Sequence, residues 1–373
     1  MGIKMKVTRV LNLFTIMNRG GAETMVMNYY RNIDREKVQF DFMVHRQEEG
    51  AYEQEIRELG GKIYRMIPIY PQNFKKYQKM ICDFFDVHDE YDIIHSHMSE
   101  LGYFVLKEAK KRGIPVRICH AHSSPHEWDL KMLARTYFKW QIKKYYTHMF
   151  VCGLESGDWL FGKENRDKFI LQTNAIDTKK FRYIAERAAT EKGKLGLKNK
   201  LVVGHVGRFN KVKNHEFLIE IFREIHKLNN SAVLVMVGTG ELENQIKQKT
   251  TREQQEKSII FLESRDDVHD IMQAFDLFLF PSLFEGLPVT MVEAQAAGLK
   301  CFISDKIPQE CILTDNVEVI GLSENARQWA KKILGSMKDF ERKDTYQEIR
   351  KKNFDIKKNA EWLEEFYLNE RGE

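Results

Sequence analysis

Three kinds of sequence feature are missing from this 373-residue chain, and each absence excludes a class of protein. No window contains 18 uninterrupted apolar residues, the length that a membrane-spanning helix requires. The five cysteines are odd in number and show no C-x-x-C spacing, so they predict reduced, buried thiols and a cytoplasmic compartment. No G-x-G-x-x-G pattern follows the first apolar run, which argues against a dinucleotide-dependent dehydrogenase.

The composition is that of a globular protein with a local concentration of positive charge. Hydrophobic residues make up 43% of the chain and charged residues 30%, which is typical of folded chains. The net charge is only +5, but residues 107–144 contain ten basic side chains against three acidic ones. The amino-terminal sequence MGIKMKVTRVLNLF has charges inside any signal-peptide core, so we interpret it as the start of a first β-strand.

Short apolar runs alternate with helical patterns along the whole chain. The first half predicts strands at residues 7–14, 38–45, 62–67, 91–95, 115–119, 148–152 and 168–171. The second half predicts strands at 201–207, 232–238, 259–263, 277–280 and 300–304. Because helical patterns follow these strands, both halves predict an α/β fold with a parallel sheet covered on both faces.

The charged, strand-poor segment at 181–200 separates two predicted Rossmann-like domains. We place the first domain at residues 1–177 and the second at 178–356. A ligand cleft is expected between the carboxyl ends of their strands. Apolar residues recur at helical spacing within 359–370, which predicts a terminal helix.

The segment at 280–299, FPSLFEGLPVTMVEAQAAGL, carries the strongest functional pattern. Glu285 and Glu293 stand eight residues apart on either side of a Gly-Leu-Pro turn. The pattern predicts a buried strand, a turn and a helix whose first amides form an anion site, because those N–H groups lack intrahelical partners. We expect Glu285 at the mouth of that site and Glu293 about two turns on, on roughly the same helical face. This suits a sugar diphosphate, although alone the two carboxylates also fit the acid and base of a glycoside hydrolase.

This segment resembles the E-x7-E motif of the retaining glycosyltransferases of family 4, which have the GT-B fold. A second stretch agrees, since Gly204-His-Val-Gly-Arg208 followed by Lys213 resembles the G-R-x4-K element of the family. The resemblance covers residues 7–309 and is greatest to bacterial enzymes that build capsules and exopolysaccharides. It implies two Rossmann-like domains facing across a cleft, and a carboxyl-terminal helix at about 357–373 that crosses back to the first domain.

The resemblance gives the residues of these two elements their roles. Arg208 and Lys213 would neutralise the leaving diphosphate, which suits a bidentate guanidinium and a compact ammonium. Glu285 would bind hydroxyls of the donor sugar, and Glu293 would bind the ribose hydroxyls. The nucleotide-sugar-binding set also includes residues of the turn and the helix start: Gly286, Leu287, Val289 and Thr290.

Other loops contribute further candidates. Gly20 and Gly21 lie in the first predicted βα loop, where two glycines let the backbone come close to a ligand or adopt a positive φ. They resemble the GG-A-E element, which contacts the donor phosphate and the acceptor, although a plain turn also fits. His120 or His122 lies at the strand end where the family has a histidine near the donor sugar, and the spacing does not decide between them. Arg265 lies in the loop that lines the nucleobase pocket in the family.

No metal or cofactor is expected. The chain has no D-x-D, so the metal–diphosphate site of the other major glycosyltransferase fold is missing. His95 and His97 form another His-x-His pair, but two ligands on one strand are too few for a metal without a third group. The resemblance instead implies a nucleotide sugar as donor substrate, most simply a UDP-sugar.

The expected acceptor is a glycan or an undecaprenyl-diphosphate-linked glycan, and no nucleic acid is expected as a partner. The helix predicted at 131–146, KMLARTYFKWQIKKYY, mixes basic with aromatic side chains, which suits an anionic bilayer surface. The same pattern fits an ordinary helix that packs its aromatics on the sheet. The first alternative predicts a cytoplasmic protein in peripheral contact with the inner face of the cell membrane.

Two other functions are compatible with the same fold. A sugar-nucleotide epimerase would depend on carboxylates and histidines that have no clear counterparts here. A non-catalytic partner subunit of a glycosyltransferase pair would have lost the motif residues, and all four of them are present: Arg208, Lys213, Glu285 and Glu293. The motifs therefore favour a metal-independent glycosyltransferase, and the resemblance implies that it is a retaining one.

Overall fold

The computed structural model describes residues 7–122, 131–252 and 257–371, and of residues 131–134 the backbone only. The chain divides into two compact units, Met1–Ala175 with Ile356–Glu373, and Ile176–Asp355. Parts of three predicted segments lie outside the described residues. These parts are 1–6 of the first strand segment, 123–130 of the basic segment and 372–373 of the terminal helix.

The first unit contains a parallel sheet. Its strands are β1 Thr8–Phe14, β2 Val38–Val44, β3 Ile63–Arg65, β4 Ile93–Ser96, β5 Val116–Ala121, β6 His148–Val151 and β7 Phe169–Leu171. The described residues pair in the order β3-β2-β1-β4-β5-β6-β7. The intervening helices are α1 Gly21–Asn32, α2 Glu53–Glu58, α3 Phe74–Val87, α4 Tyr103–Lys111, α5 Lys131–Ile142 and α6 Leu154–Phe161.

The second unit repeats this plan. Its strands are β8 Leu201–Val206, β9 Ala232–Val237, β10 Ile259–Leu262, β11 Leu277–Phe280, β12 Lys300–Ser304 and β13 Val317–Ile320. Within the described residues their order is β10-β9-β8-β11-β12-β13. The helices are α7 Thr178–Phe181, α8 Ala185–Lys194, α9 His215–Leu228, α10 Glu243–Arg252, α11 Val268–Ile271, α12 Val289–Ala296, α13 Ala326–Ser336 and α14 Tyr346–Lys351.

Each sheet reverses its strand order once, and this reversal determines where a ligand can enter. In the first unit the reversal lies between β1 and β4, and in the second unit between β8 and β11. Loops that leave neighbouring strands in opposite directions open a crevice at the carboxyl edge of such a sheet. The loops after β8 and β11 carry the G-R-x4-K and E-x7-E elements, so both elements lie at the crevice of the second unit.

The last helix, α15 Ile356–Glu370, belongs to the first unit. Its buried apolar positions recur every three or four residues and join the core that covers one face of the first sheet: Ile356, Ala360, Leu363 and Tyr367. The Tyr367 ring meets the Phe40 ring edge-on at 5.9 Å between centroids. The apolar spacing of the terminal segment therefore predicts this helix correctly.

The two parallel sheets confirm the predicted fold class, and the differences are local. Helix α8 lies inside the charged segment that we interpreted as a separator, and none of its residues is buried, which explains its polar sequence. Strand β13 was missed because it has only four residues, one of them charged, and only the last of the four is buried. Helix α5 ends at Ile142, four residues before the predicted end.

Gly204 in β8 is required by close packing in the second unit. An added Cβ atom would lie 2.0 Å from the ring of Phe275, which is fully buried. Gly335 in α13 is the opposite case, because an added Cβ atom there would meet nothing within 4 Å.

We expect Gly204→Ala to lower the free energy of unfolding by about 1–3 kcal/mol, the usual effect of overpacking a core. Gly335→Ala is the matched control, and it should leave stability unchanged or raise it by up to about 1 kcal/mol, because alanine is the better helix former. Urea unfolding monitored by circular dichroism measures both. Equal midpoints for Gly204→Ala and the parent protein would contradict the packing argument.

Candidate functional site

The segment between β11 and α12 places the two predicted glutamates differently from the expectation. Helix α12 begins at Val289, so Glu285 lies in the preceding loop while Glu293 lies within the helix. The expectation of a shared helical face was therefore wrong, because Pro288 occupies the cap position and the helix cannot extend back to Glu285. The expected strand and turn before the helix are present, and Glu285 is half-buried in the middle of the loop.

Lys213 and Glu285 form an ion pair, with 2.7 Å between Lys213 Nζ and Glu285 Oε1. Both side chains are mostly buried, at 14% and 12% exposure. The ammonium also lies 4.5 Å from the centroid of the Phe280 ring. An ion pair with this little solvent around it is weakly screened, so the two side chains hold each other at the crevice.

The backbone of the loop after β8 is tied to the loop after β11. The side chain of Asn210 accepts a hydrogen bond from the Lys213 amide at 3.1 Å. The amide of Leu283 donates to the carbonyl of Val212 at 2.8 Å, and the side chain of Asn214 donates to the carbonyl of Pro281 at 3.1 Å. These three bonds fix where the Lys213 side chain leaves the backbone.

Arg208 lies two residues after the end of β8 and has a different environment. Its side chain is 72% exposed, and its Nη2 lies 3.2 Å from Glu241 Oε2, which is itself 55% exposed. An ion pair this exposed is worth little, so the guanidinium is available to an anionic ligand. A close approach of two glycines shapes the neighbouring backbone, since an added Cβ atom on Gly238 would lie 2.2 Å from the carbonyl oxygen of Gly207.

Glu293 is half-buried, and among the described residues its carboxylate has no hydrogen-bond or ion-pair partner. Burial raises the pKa of Glu293 to about 7. In the same helix Thr290 Oγ1 is buried and has no partner within the described chain. Unpaired buried polar atoms are uncommon in folded proteins, and here they adjoin the uncapped amino-terminal turn of α12.

The remaining candidate residues of the second unit are an arginine in an ion pair, a glycine with open space around it and two apolar residues packed on the core. Arg265 makes a bidentate pair with Asp267, with both N–O distances at 2.7 Å, on the exposed loop after β10. An added Cβ atom on Gly286 would meet nothing within 4 Å, so the backbone there is accessible to a ligand. Leu287 and Val289 are half-buried and pack against the core of the unit.

In the first unit, Gly20 is the cap residue of α1 and Gly21 is its first residue. Neither has a positive φ, so of the two reasons for glycine here only close approach of the backbone to a ligand remains. An added Cβ atom on Gly21 would meet nothing within 4 Å, while one on Gly20 would lie 2.3 Å from the Glu23 carboxylate. The absence of side chains therefore opens the start of α1 and leaves room for Glu23.

His120 and His122 are joined to His95 and His97 in one cluster. His95 Nε2 lies 3.1 Å from His120 Nδ1, and His97 Nδ1 lies 2.8 Å from His122 Nε2. His120 is fully buried, whereas His122 is half-buried at the carboxyl end of β5. The structure therefore favours His122 as the histidine that can reach a ligand.

Sequence reasoning missed the contacts within this cluster. Nitrogens of His95, His97 and His120 lie within 4.8 Å of one another, so the neighbouring strand supplies the third group that one His-x-His pair lacks. The role of Asn12 was also missed, although it lies 3.2 Å from His97 Nε2. Alternating histidines at the ends of two consecutive predicted strands were the available signal.

The fold and the arrangement of these residues define a GT-B glycosyltransferase, and comparison with known proteins agrees. The model of the family described as Glycosyltransferase Family 4 matches residues 19–156, and the model described as Glycosyl transferases group 1 matches residues 188–353. EpsF of Bacillus subtilis strain 168, named as a glycosyltransferase, is 36% identical over 332 residues, which cover 87% of this chain and 86% of EpsF. The chain belongs to glycosyltransferase family 4.

Two further relatives have more specific names. An Escherichia coli enzyme named UDP-Gal:alpha-D-GlcNAc-diphosphoundecaprenol alpha-1,3-galactosyltransferase is 28% identical over 239 residues, 62% of each chain. CapH of Staphylococcus aureus, named as a capsular polysaccharide biosynthesis glycosyltransferase, is 22% identical over 77% of this chain and 78% of CapH.

Solved structures share the fold over nearly the whole chain. HepE of Anabaena, solved with UDP and glucose, superposes with a TM-score of 0.71 at 17% identity, covering 98% of this chain and 97% of HepE. A glycosyltransferase from Rickettsia africae ESF-5 gives a TM-score of 0.77 at 15% identity, covering 98% and 99%. In the part of the chain that the structure describes, no helix has the length and apolar character needed to cross a membrane.

The raised pKa of Glu293 makes stability depend on pH in a stated direction. Its folded-state pKa of about 7 lies above the ordinary 4.5, so between these values the folded protein binds more protons than the unfolded chain. Stability therefore falls as the pH rises through this window. Glu293→Gln removes the effect, and we expect the variant to gain about 1–3 kcal/mol over the parent at pH 8 and much less at pH 5.

Urea unfolding at the two pH values measures this difference. The matched control is Glu341→Gln, because Glu341 is 81% exposed and should show no such dependence. An equal gain at both pH values would mean that the carboxylate of Glu293 is not held in a buried site.

Proposed function

We propose that this glycosyltransferase transfers a sugar from a UDP-sugar, with retention at the anomeric carbon, to a glycan or undecaprenyl-diphosphate-linked acceptor in bacterial surface polysaccharide biosynthesis. The observation that carries the proposal is the Lys213–Glu285 ion pair beside the start of α12. It puts a cation for the diphosphate and a carboxylate for the sugar hydroxyls at one crevice.

The names of relatives support the choice of substrates. The galactosyltransferase relative is named for a UDP-sugar donor and a diphosphoundecaprenol acceptor, and HepE was solved with UDP and glucose. CapH is named for capsular polysaccharide biosynthesis. In this chain, Glu293 provides a carboxylate without a protein partner for the ribose hydroxyls, and Arg265 lies in the loop proposed to line the nucleobase pocket.

The proposed reaction is electrostatic and needs no metal. The bond between the anomeric carbon and the diphosphate oxygen breaks, and the acceptor oxygen bonds to the same face of the sugar. The leaving diphosphate accepts the proton of the acceptor hydroxyl. Arg208, Lys213 and the amides at the start of α12 stabilise the negative charge that develops on the diphosphate. Because Lys213 is paired with Glu285 without substrate, binding would exchange this pair for ammonium–phosphate and carboxylate–hydroxyl contacts.

Replacing either cation should lower the turnover number. We expect Arg208→Ala and Lys213→Ala each to reduce kcat by about 100-fold or more, the scale for losing one group that stabilises transition-state charge. The assay is UDP release from UDP-glucose, UDP-galactose, UDP-GlcNAc and UDP-GalNAc with a lipid-linked acceptor. Lys211→Ala is the control, since Lys211 is exposed in the same turn and has no assigned role.

Three outcomes of that assay would contradict the proposal. Near-normal turnover in both variants would contradict the proposal that Arg208 and Lys213 stabilise the leaving diphosphate. Loss of activity with EDTA would contradict the metal-independent reaction. Conversion of the UDP-sugar without any need for acceptor would favour an epimerase. Thermal unfolding of each variant shows whether a loss of turnover is a loss of folded protein.

We also propose that the protein makes peripheral contact with an anionic membrane, and helix α5 supports this. Phe138 and Ile142 pack into the core, whereas Tyr137 and Trp140 are 54% and 60% exposed. Lys144 Nζ lies 4.6 Å from the centroid of the Trp140 ring. The helix thus packs one face on its unit and leaves basic and aromatic groups outside, an arrangement that suits a lipid headgroup region.

We expect Trp140→Ala to weaken binding to vesicles containing anionic lipid by about tenfold, the effect of no longer burying a large aromatic side chain. Co-sedimentation with phosphatidylglycerol vesicles measures it, and pure phosphatidylcholine vesicles should bind much less. Leu228→Ala is the control, because Leu228 is an exposed apolar residue of the second unit. Equal sedimentation of Trp140→Ala and the parent protein would rule out this helix as the contact.

A further inference from the structure

The four histidines at the carboxyl ends of β4 and β5 form a two-by-two array. Along each strand two rings stack, with centroids 4.2 Å apart for His95 and His97 and 4.1 Å apart for His120 and His122. Between the strands the rings pair through hydrogen bonds, His95 with His120 and His97 with His122. The array therefore contains two separate hydrogen-bonded rows.

The row that contains His97 has a defined direction because it begins at Asn12. The Nδ2 atom of Asn12 faces two backbone carbonyls, 3.4 Å from the oxygen of Val10 and 3.5 Å from that of Asp41. Carbonyl oxygens only accept, so the amide nitrogen must lie on that side. The Oδ1 atom of Asn12 then faces His97 Nε2 at 3.2 Å, and it can only accept. His97 must donate from Nε2.

The direction carries through to His122. Burial, with the neighbouring histidines as a second cause, holds the pKa of His97 well below its usual value, so the ring is neutral and its Nδ1 has a free lone pair. That lone pair accepts the proton of His122 Nε2 across 2.8 Å. Burial also lowers the pKa of His122 to about 3, so His122 is neutral and its Nδ1 carries no proton.

In the other row, which contains His95 and His120, the direction of the hydrogen bonds is not fixed. This row begins at the hydroxyl of Tyr367, 2.7 Å from His95 Nδ1, and a hydroxyl can donate or accept. It ends at His120 Nε2, which is buried and has no partner among the described residues. The two rows thus have the same composition of rings and differ in the group at their inner end.

The His97 ring cannot easily turn to reverse the direction. It is stacked between the rings of Phe14 and His95, at centroid distances of 4.5 Å and 4.2 Å. Asn12 is 1% exposed and His97 is 8% exposed, so water does not compete for their hydrogen bonds. The thiol of Cys152 fixes the end of the row, since it donates to the carbonyl of His122 at 3.1 Å.

We propose that Asn12 and His97 are positioning residues that hold His122 as the Nε2–H tautomer, so that His122 Nδ1 accepts a hydrogen bond from a sugar hydroxyl. The assignment rests on the proposed function for the identity of the ligand. A sugar hydroxyl is a donor, and a neutral nitrogen acceptor can bind it without attracting the diphosphate. Among the described residues Nδ1 of His122 has no partner, and His122 is the half-buried member at the end of the array.

A metal ion is the competing occupant of these histidines. Three of their nitrogens lie within 4.8 Å of one another, but the rings are stacked, and the hydrogen bonds direct the lone pairs along each row and not toward a common centre. Binding a metal would require breaking at least one row. The hydrogen-bonded arrangement therefore favours the fixed tautomer.

Histidine-labelled full-length protein tests the tautomer directly by long-range proton–nitrogen NMR correlation, with His122→Gln to assign the signal. We expect a single Nε2–H form at His122. Asn12→Ala should give a mixture of tautomers, because His97 then loses the acceptor for its Nε2 proton. Tyr367→Phe is the matched control, because it alters only the other row and should leave His122 unchanged.

Kinetics of Asn12→Ala identify which sugar supplies the hydroxyl. Loss of one neutral hydrogen bond corresponds to roughly a fivefold rise in KM. A rise in the KM of the UDP-sugar assigns the hydroxyl to the donor, and a rise only in the KM of the acceptor assigns it to the acceptor. The expected change in kcat is smaller than that in KM.

Several results would overturn the proposal. If His122 of the parent protein carries its proton on Nδ1, or on both nitrogens, the proposal is wrong. This result is decisive even if Asn12→Ala fails to fold. Unchanged KM values in a folded Asn12→Ala would also overturn the proposal. A shift of all four histidine signals with one equivalent of Zn²⁺ would show a metal site instead. An inactive parent protein with the Nε2–H tautomer would contradict the proposed function and leave the tautomer assignment standing.

Discussion

The ion pair between Lys213 and Glu285 is the interaction on which the site of the second unit depends. It joins the loops that leave β8 and β11 on either side of the strand-order reversal, and three backbone-directed hydrogen bonds support it. Removing one member would leave the other charge poorly solvated, which is costly for a mostly buried pair. The pair therefore keeps a cation and a carboxylate at the crevice when no substrate balances them.

The motifs and the alternation of strands and helices were sufficient to predict the fold and the loops that carry the candidate residues. Two features of the site could not be predicted from the sequence, because they depend on atoms that only the fold brings together. The contact between Lys213 and Glu285 joins side chains 72 residues apart. Glu293 looks like an ordinary charged helix residue, and only its burial without a partner raises its pKa to about 7.

The histidine array shows the same limit in more detail. Alternation predicts that His95 and His97 share one face of their strand, as do His120 and His122. The register between β4 and β5, which pairs His95 with Ile118, then decides which rings meet. The direction of the row depends in addition on Asn12 in β1, a residue that no motif marks. Residue patterns within β4 and β5 could not reveal that a residue of a third strand, β1, contacts His97.

The candidate residues of the two units are polar groups of different kinds. In the proposed function, Arg208 and Lys213 of the second unit serve the charged leaving group. In the first unit burial lowers the pKa of His97 and His122, and the proposal gives His122 the role of an acceptor for a sugar hydroxyl. Lys213 is mostly buried but is balanced by the Glu285 carboxylate, whereas desolvation lowers the pKa of His97 and His122. The difference between these groups therefore follows from ion pairing as well as from the access of water to each side chain.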